Sequence, residues 1–260
     1  MEHAKAHVAL VTGAGGGLGR EVAVQLARRG CRVAALDINA SGAAETASLC
    51  AEASKFALPI VADLTAAGSC EAVVQQVKAK GGRFDVLVNN AGYGAIEPFL
   101  NMTEALWERT LAVNVRALAL LSAAAGRVMR DQRSGRIVNI TSPASRMALP
   151  NYTAYAASKA GVDAITRAAA VALAPFGVLV NSVAPGMMDT EMQRSTEADL
   201  ARLEGRIDVD AFLAERTKRV PLGRRVGCEE VAAAVVWLAL DAPDYITAER
   251  LNISGGLDKD

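Results

Sequence analysis

The chain has 260 residues, 28 Lys and Arg against 28 Asp and Glu, and a formal net charge of +0. A hydrophobic share of 52% with 22% charged residues excludes wholesale disorder and supplies a full core without cross-links. The balance gives no net field for nucleic acid or an anionic membrane, and 4% aromatic residues imply a core of Ala, Val, Leu and Ile.

Short β-branched runs alternate with longer Ala-rich stretches. In chain order the pattern predicts a strand over 8–12, a helix over 17–29, a strand over 32–37 and a helix over 41–52. A strand over 56–62, a helix over 66–80 and a strand over 86–89 follow. Then come a long helix over 104–130, a strand over 136–141 and a helix over 152–174. Strands over 178–183 and 251–253 flank a last helix over 229–240. Most of the strands are continuously apolar, as parallel strands covered on both faces are. The expected fold is α/β: a single doubly wound Rossmann-type domain over residues 1–260. Its sheet is seven-stranded and mostly parallel, with helices on both faces.

Two segments stand apart. Residues 168–188 carry no charge over 21 positions, near the length of a membrane span. Pro175, Gly177, Asn181 and Pro185-Gly186 make it read instead as a helix end, a turn, a buried strand and a loop. Residues 187–225 are highly charged, with helical composition around 198–219; following a strand's C-terminal end, they are expected to form a substrate-binding loop or lid.

Cys31, Cys50, Cys70 and Cys228 contain no CxxC pair, and the two histidines are His3 and His7. No metal site is expected, and reduced thiols of a cytoplasmic protein are the plain reading. No secretory signal is read at the start: the apolar run from Val8 ends at Thr12-Gly13.

The first strand leads into Gly13-Ala-Gly-Gly-Gly17-Leu18-Gly19 and an amphipathic helix. Bare backbone at a helix N-terminus suits a pyrophosphate. The spacing departs from GxGxxG, because the sixth position counted from Gly13 is Leu18; it reads TGxxxGxG, with Thr12, Gly13, Gly17 and Gly19 in the fixed places. Asp37 ends the next strand, 18 residues after Gly19. An acid there accepts from both ribose hydroxyls and repels a 2′-phosphate, which favours NAD over NADP. Asp63 ends the third strand, and either touches an adenine amine or caps the helix beginning near Thr65. Asn89-Asn90-Ala91-Gly92 ends the fourth, with a structural role at least as plausible as cofactor contact.

Tyr155 and Lys159 are four apart on one helix face. A free phenol titrates near ~10. An ammonium ~4 Å away contributes about 4 kcal/mol at an effective dielectric of ~20, enough to lower the phenol by about three units before desolvation opposes it. Tyr155 is thus a candidate general acid/base. Tyr152 has Ala156 at the equivalent place and lacks the cation. Ser142, 13 residues before Tyr155, is suited to steady a substrate oxygen. Asn114, alone, reads as a structural residue in a long helix.

Together these residues resemble the short-chain dehydrogenase/reductase family from Val8 almost to Gly256. The resemblance implies that Gly13, Gly17, Leu18 and Gly19 form the cofactor loop, that Asp37 selects NAD, and that Asp63-Leu64 meets adenine. Asn90, Ala91 and Gly92 fall in its NNAG segment; Asn114, Ser142, Tyr155 and Lys159 match its catalytic tetrad; Pro185, Gly186 and Thr190 lie beside the nicotinamide. It further implies that Lys159 bonds the nicotinamide ribose, that Asn114 anchors a proton-relay water, and that the protein is a homotetramer. The sequence departs from the family at Thr247-Ala248, commonly Thr-Gly, and at Ser254, commonly Asp.

The resulting expectation is an NAD-dependent oxidoreductase for a small-molecule secondary alcohol or ketone. Its rivals are an NADP-dependent ketoreductase and a non-catalytic NAD-binding regulator. Tyr93, Ala144, Met187, Met188 and Met192 are candidate pocket residues by proximity to the motifs, the methionines as an adaptable apolar wall. Arg146 is a weaker candidate for an anionic substrate.

Overall fold

The computed structural model describes residues 6–54, 56–94 and 96–258. His3 and the two ends of the expected 1–260 span lie outside the described residues. Seven strands form one sheet: β1 (Val8–Thr12), β2 (Arg32–Asp37), β3 (Ala57–Val61), β4 (Val86–Asn89), β5 (Gly135–Ile140), β6 (Val178–Pro185) and β7 (Arg250–Ile253). Their order is β3-β2-β1-β4-β5-β6-β7. Every pairing is parallel, where the sequence led us to expect a mostly parallel sheet. The chain runs outward from β1 to β3, crosses back to β4, and continues the other way. The C-terminal ends of β1 and β4 therefore diverge, and a crevice opens between them.

Alternate side chains of each strand feed two cores, one per face. Val8 and Leu10 of β1 pack with Val74, Val77 and Leu121 on one side. Ala9 and Val11 pack with Val22, Leu26 and Val231 on the other. Burial of a side chain such as Leu10, 0% exposed, stabilises by roughly 1.5–3 kcal/mol. The two edge strands depart from continuous burial: Val61 of β3 is 58% exposed, and all four residues of β7 are only half-buried.

Nine helices are described: α1 (Gly17–Arg28), α2 (Ala40–Ala53), α3 (Ser69–Gly81), α4 (Glu104–Leu111), α5 (Leu118–Gln132), α6 (Thr153–Leu173), α7 (Glu191–Leu203), α8 (Val209–Lys218) and α9 (Cys228–Val236). Three depart from expectation. The helix after β3 starts at Ser69 and not near residue 66, because Gly68 holds a left-handed conformation ahead of it. The long helix over 104–130 is divided into α4 and α5 by a wide turn, Ala112–Ala117, that carries Asn114. The helical stretch placed around 198–219 is two helices: Gly205, also left-handed, separates α7 from α8, and α7 begins earlier, capped by Thr190.

Residues 168–188 resolve as the end of α6, a turn at Ala174–Phe176, β6 and the following loop. Glu104–Gln132 is long and apolar enough to cross a membrane by composition. Half of its most apolar window is buried inside the protein, and Leu121, Ala125 and Met129 are core side chains.

Candidate active site

Thr12 and Asn90 tie the glycine loop to the end of β4. Thr12 Oγ1 accepts from the N–H of Asn90 (3.1 Å) and of Ala91 (3.0 Å), and Asn90 Nδ2 donates to the carbonyls of Thr12 (3.0 Å) and Gly13 (3.1 Å). Close approach dictates two of the glycines. Gly13 has φ of +63°, and a Cβ there would stand 2.8 Å from Ala91 Cα; a Cβ on Gly19 would stand 2.1 Å from the Gly13 carbonyl oxygen. The loop is a bare-backbone cradle at the N-terminus of α1, fit to hold a pyrophosphate.

A cleft of about 550 Å³ runs from this cradle across the crevice. Its lining includes Gly13, Gly17, Leu18, Asp37, Asp63, Leu64, Asn90, Ala91, Gly92, Ser142, Tyr155, Lys159, Pro185, Gly186 and Thr190. Residues far apart in the chain thus meet in one place. Gly19 is buried beneath the loop instead, and Asn114 lies just behind the wall, 1% exposed.

Asp37 sits at the mouth of β2. Its Oδ2 accepts from Gly15 N–H (2.8 Å) and its Oδ1 from Asn39 N–H (2.9 Å), fixing the carboxylate against the loop. Gly15 is a contact that the motif reading passed over. Arg20 is the nearest cation after the loop. Its guanidinium is engaged by Glu45 (2.7 and 3.0 Å) and by the Gly15 carbonyl (2.6 Å), and it is not part of the cleft lining. Asp63 Oδ1 accepts from both N–H and Oγ1 of Thr65, which holds this carboxyl below its usual range. The bond closes a local turn and caps no helix, since α3 begins later. Adenine contact stays open to Asp63, which reaches the cleft.

At the other end, Tyr155 and Lys159 project from one face of α6. Ser142 lies beside the Tyr155 hydroxyl in the cleft and favours its ionised form, and its Oγ accepts from Ala144 N–H (3.2 Å). Lys159 is 5% exposed; its Nζ donates to the Ile140 carbonyl (2.9 Å) and lies 5.6 Å from the Tyr155 ring centre. The expected lowering of the phenol is overturned: burial pushes Tyr155 up, and Ser142 recovers only part of that. Burial also pulls Lys159 down to about 8, against the upward pull of Asp163. Desolvation, which the sequence argument left aside, is the largest influence on both groups. Tyr152 meets Tyr155 edge to face, ring centres 6.5 Å apart.

Asn114 bridges three elements. Its Oδ1 accepts from Tyr93 N–H (2.7 Å), and its Nδ2 donates to the Tyr93 carbonyl and to Ser158 Oγ (2.9 Å each). A Cβ on Gly92 would stand 3.6 Å from Asn114 Oδ1 and 3.7 Å from Lys159 Nζ. Glycine there keeps a small space open beside both groups.

Of the pocket candidates, Tyr93, Met188 and Met192 line the cleft. Ala144 and Met187 do not: Ala144 is buried under the turn that Ser142 caps, and Met187 is held by its carbonyl, which accepts from Val226 N–H (3.0 Å). Arg146 is exposed and outside the lining. Arg109, Val113 and Ala117 were missed. They line the cleft at a spacing of four, and the wide turn of Ala112–Ala117 keeps that spacing on one face. For Val113 and Ala117 the signal was present as an apolar stripe beside Asn114; Arg109 gave none. Arg109 also stacks over the Tyr93 ring, its guanidinium carbon 4.3 Å from the centre.

Comparison with known proteins gives the same picture over the chain. A family model described as short chain dehydrogenase matches residues 7–201. An uncharacterised oxidoreductase of Thermotoga maritima is 36% identical over 252 residues, covering 96% of each chain. The solved actinorhodin polyketide ketoreductase with NADPH superposes with a TM-score of 0.94 at 32% identity, covering 100% of both chains. NAD+-bound xylitol dehydrogenase superposes with a TM-score of 0.92 at 32% identity, over 96% of this chain and 98% of that one.

Proposed function

Since the chain belongs to the short-chain dehydrogenase family, whose members are oxidoreductases, we propose that it moves a hydride between NAD(H) and a secondary alcohol or the matching ketone. The observation that carries this reading is the convergence of Ser142, Tyr155 and Lys159 on the same cleft as the glycine cradle, with Lys159 one helical turn from Tyr155. The xylitol dehydrogenase and ketoreductase likenesses support a hydroxyl or carbonyl substrate.

The glycine loop would hold the pyrophosphate, Asp37 the adenosine ribose, Asp63-Leu64 the adenine, and Lys159 the nicotinamide ribose, with Pro185, Gly186 and Thr190 beside the ring. When bound, the nicotinamide supplies the carbon that accepts or gives the hydride. Tyr155 takes the proton of the alcohol, or returns it to the ketone oxygen. Ser142 holds that oxygen by a hydrogen bond. Lys159 keeps a positive charge beside the phenol and favours its deprotonated form. Asn114 retains one free lone pair on Oδ1, and the space beside Gly92 suits a water between it and Lys159 Nζ, a path for the proton. Tyr93, Met188 and Met192 would form the substrate wall.

We infer further that the chain works as one catalytic domain, that residues 187–225 close over the cleft as a lid, and that the protein is a cytoplasmic homotetramer. Exposed Leu120 on α5 and Val171 on α6 support association through those helices. A second reading, use of NADPH, is favoured by the NADPH-bound ketoreductase. The carboxylate of Asp37 and the engagement of Arg20 by Glu45 argue for NAD.

The test is a panel of secondary alcohols and ketones followed by nicotinamide absorbance, with paired rates for the two cofactors, on wild type and Tyr155→Phe. Turnover by wild type and a loss of roughly 10²–10⁴-fold in the variant, with NADH binding retained, is the expected result. Turnover that survives in Tyr155→Phe overturns the assignment. NADH binding without turnover across the panel revives the regulator.

A further inference from the structure

Behind the Tyr155–Ser142 pair lies a buried ionic cluster, none of whose members lines the cleft. Arg250 of β7 donates through Nη2 to Asp258 Oδ2 (2.7 Å) and to the backbone carbonyl of Ser142 (3.1 Å). Its Nε stands 3.7 Å from Asp163 Oδ2. The three side chains are 8% (Arg250), 9% (Asp163) and 5% (Asp258) exposed. Asp258 is itself held by its N–H, which donates to Ser254 Oγ (3.2 Å). One guanidinium therefore touches three places: the residue beside the Tyr155 hydroxyl, the face of α6 one turn beyond Lys159, and the C-terminal tail.

The charges close on themselves. Arg250 stands against Asp163 and Asp258, and Asp163 also attracts Lys159 one turn before it on α6. Arg250 Nη1 and Asp163 Oδ1 are buried without a hydrogen-bond partner among the described residues. Attraction, and not a saturated hydrogen-bond network, holds the cluster, so deleting Arg250 leaves two buried carboxylates uncompensated.

We propose that Arg250 is a positioning residue: anchored by Asp258, it fixes Ser142 relative to Asp163 on α6 and thereby sets the gap across which Tyr155 meets Ser142. The inference rests on the reading of Tyr155, Ser142 and Lys159 as the reacting centre. Ser142 follows β5 while Tyr155 rides on α6; Ile140 and Thr141 are each tied to Lys159 of α6, and Arg250 holds Ser142 itself through its carbonyl. A misplacement of ~1 Å at such a pair lowers rates by up to about 10²-fold. Lys159 reports on the brace, because the groups facing it are few. They are Tyr155 and Asp163 from α6, the Ile140 carbonyl from β5, and the neutral amide of Asn114. Asp163 in turn faces Arg250.

The experiment follows Lys159 directly in the ligand-free protein. The chain has seven lysines, few enough for their ε-carbons to be resolved by ¹³C NMR, and K159R identifies the Lys159 signal by its loss. D163N removes a negative charge and is expected to move the Lys159 titration to lower pH. R250M removes a positive one and is expected to move it to higher pH, while R250K stays near wild type. In parallel, R250M and D258N are expected to lower kcat roughly tenfold, with NADH affinity within about twofold and partial recovery in R250K. Should R250M not fold, R250Q takes its place. A Lys159 titration that is unmoved, or moves the same way in D163N and R250M, overturns the brace; so does undiminished turnover in R250M or R250Q. Turnover retained by Tyr155→Phe overturns the underlying reading instead, and the NMR titrations stand apart from it.

Discussion

The ammonium of Lys159 donates to the Ile140 carbonyl at 2.9 Å while its charge lies 5.6 Å from the centre of the Tyr155 ring. The two groups share a buried face of α6, and burial opposes the charged form of each: it raises the phenol and lowers the ammonium to about 8. Burial therefore favours the neutral phenol, and in the proposed mechanism the positive charge of an oxidised nicotinamide would add to that of Lys159 in favouring its deprotonation.

Lys159→Met gives the first prediction. The folded-state pKa is depressed from 10.5 to about 8, so below about 8 both states hold the proton and the native state bears the full penalty. As pH rises from about 8 to 10.5, the unfolded chain binds the proton that the native state lacks, and stability increases. Removing the charge is expected to stabilise the protein at pH 7 by about 2 kcal/mol. This is roughly 3 kcal/mol from the shift at ~1.4 kcal/mol per unit, less about 1 kcal/mol for the orphaned Ile140 carbonyl. Denaturant titrations at several pH values check this: the advantage of the variant over wild type should shrink toward pH 10.5, while turnover is lost throughout.

Asp37→Ala should erode discrimination between the cofactors. Without the carboxylate, the proposed repulsion of a 2′-phosphate at the mouth of β2 and the proposed acceptor for the ribose hydroxyls are both gone. The ratio of kcat/KM for NAD over NADP is expected to fall by roughly 10–100-fold, most of it through weaker NAD use. Initial rates with both cofactors measure it. An unchanged ratio would show that discrimination lies elsewhere.

Gly92→Ala tests the proposed water path. An added methyl meets its neighbours at ordinary contact distances, 3.6 Å or more, so the fold should tolerate it and the melting temperature should change little. The methyl fills the space between Asn114 Oδ1 and Lys159 Nζ. Turnover is expected to drop about tenfold with a larger solvent isotope effect. A variant that turns over like wild type removes that route.

Ala248→Gly addresses backbone strain. Ala248 has φ of +66°, one of two non-glycine residues with positive φ among those described. A left-handed residue with a Cβ is strained by roughly 1–2 kcal/mol, offset in part by the greater freedom of glycine in the unfolded chain. The substitution is expected to stabilise by about 1 kcal/mol in denaturant titrations without altering turnover, since Ala248 is not among the cleft residues.

That last position shows what sequence reading reaches. Thr247-Ala248 was visible as a departure from the family's Thr-Gly, but the left-handed turn that makes it matter is a property of the backbone between α9 and β7. The strands were legible because most are short apolar runs, and β1, β2 and β4 fall where periodicity put them. The division of α4 from α5 was not, because a wide turn adds a residue without breaking hydrophobic spacing. At the cleft, the glycine loop and Asp37 declared themselves by position in a strand–turn–helix unit. Arg109 did not: its place in the lining depends on how the α4 face meets the β4 loop, a tertiary relationship with no local signature. Nor did the direction of the Tyr155 shift, which spacing could not decide because it depends on how much water reaches the helix.

The strand order has a consequence for biosynthesis. The walls of the cleft come from β1 and β2 early in the chain and from α6 and β6 much later, and they meet only after the crossover from β3 to β4 is followed by β5 and β6. A ribosome must therefore release residues through Thr190 before a complete dinucleotide site exists. A chain truncated before β6 still lacks Pro185, Gly186 and Thr190, and with them one whole wall of the cleft.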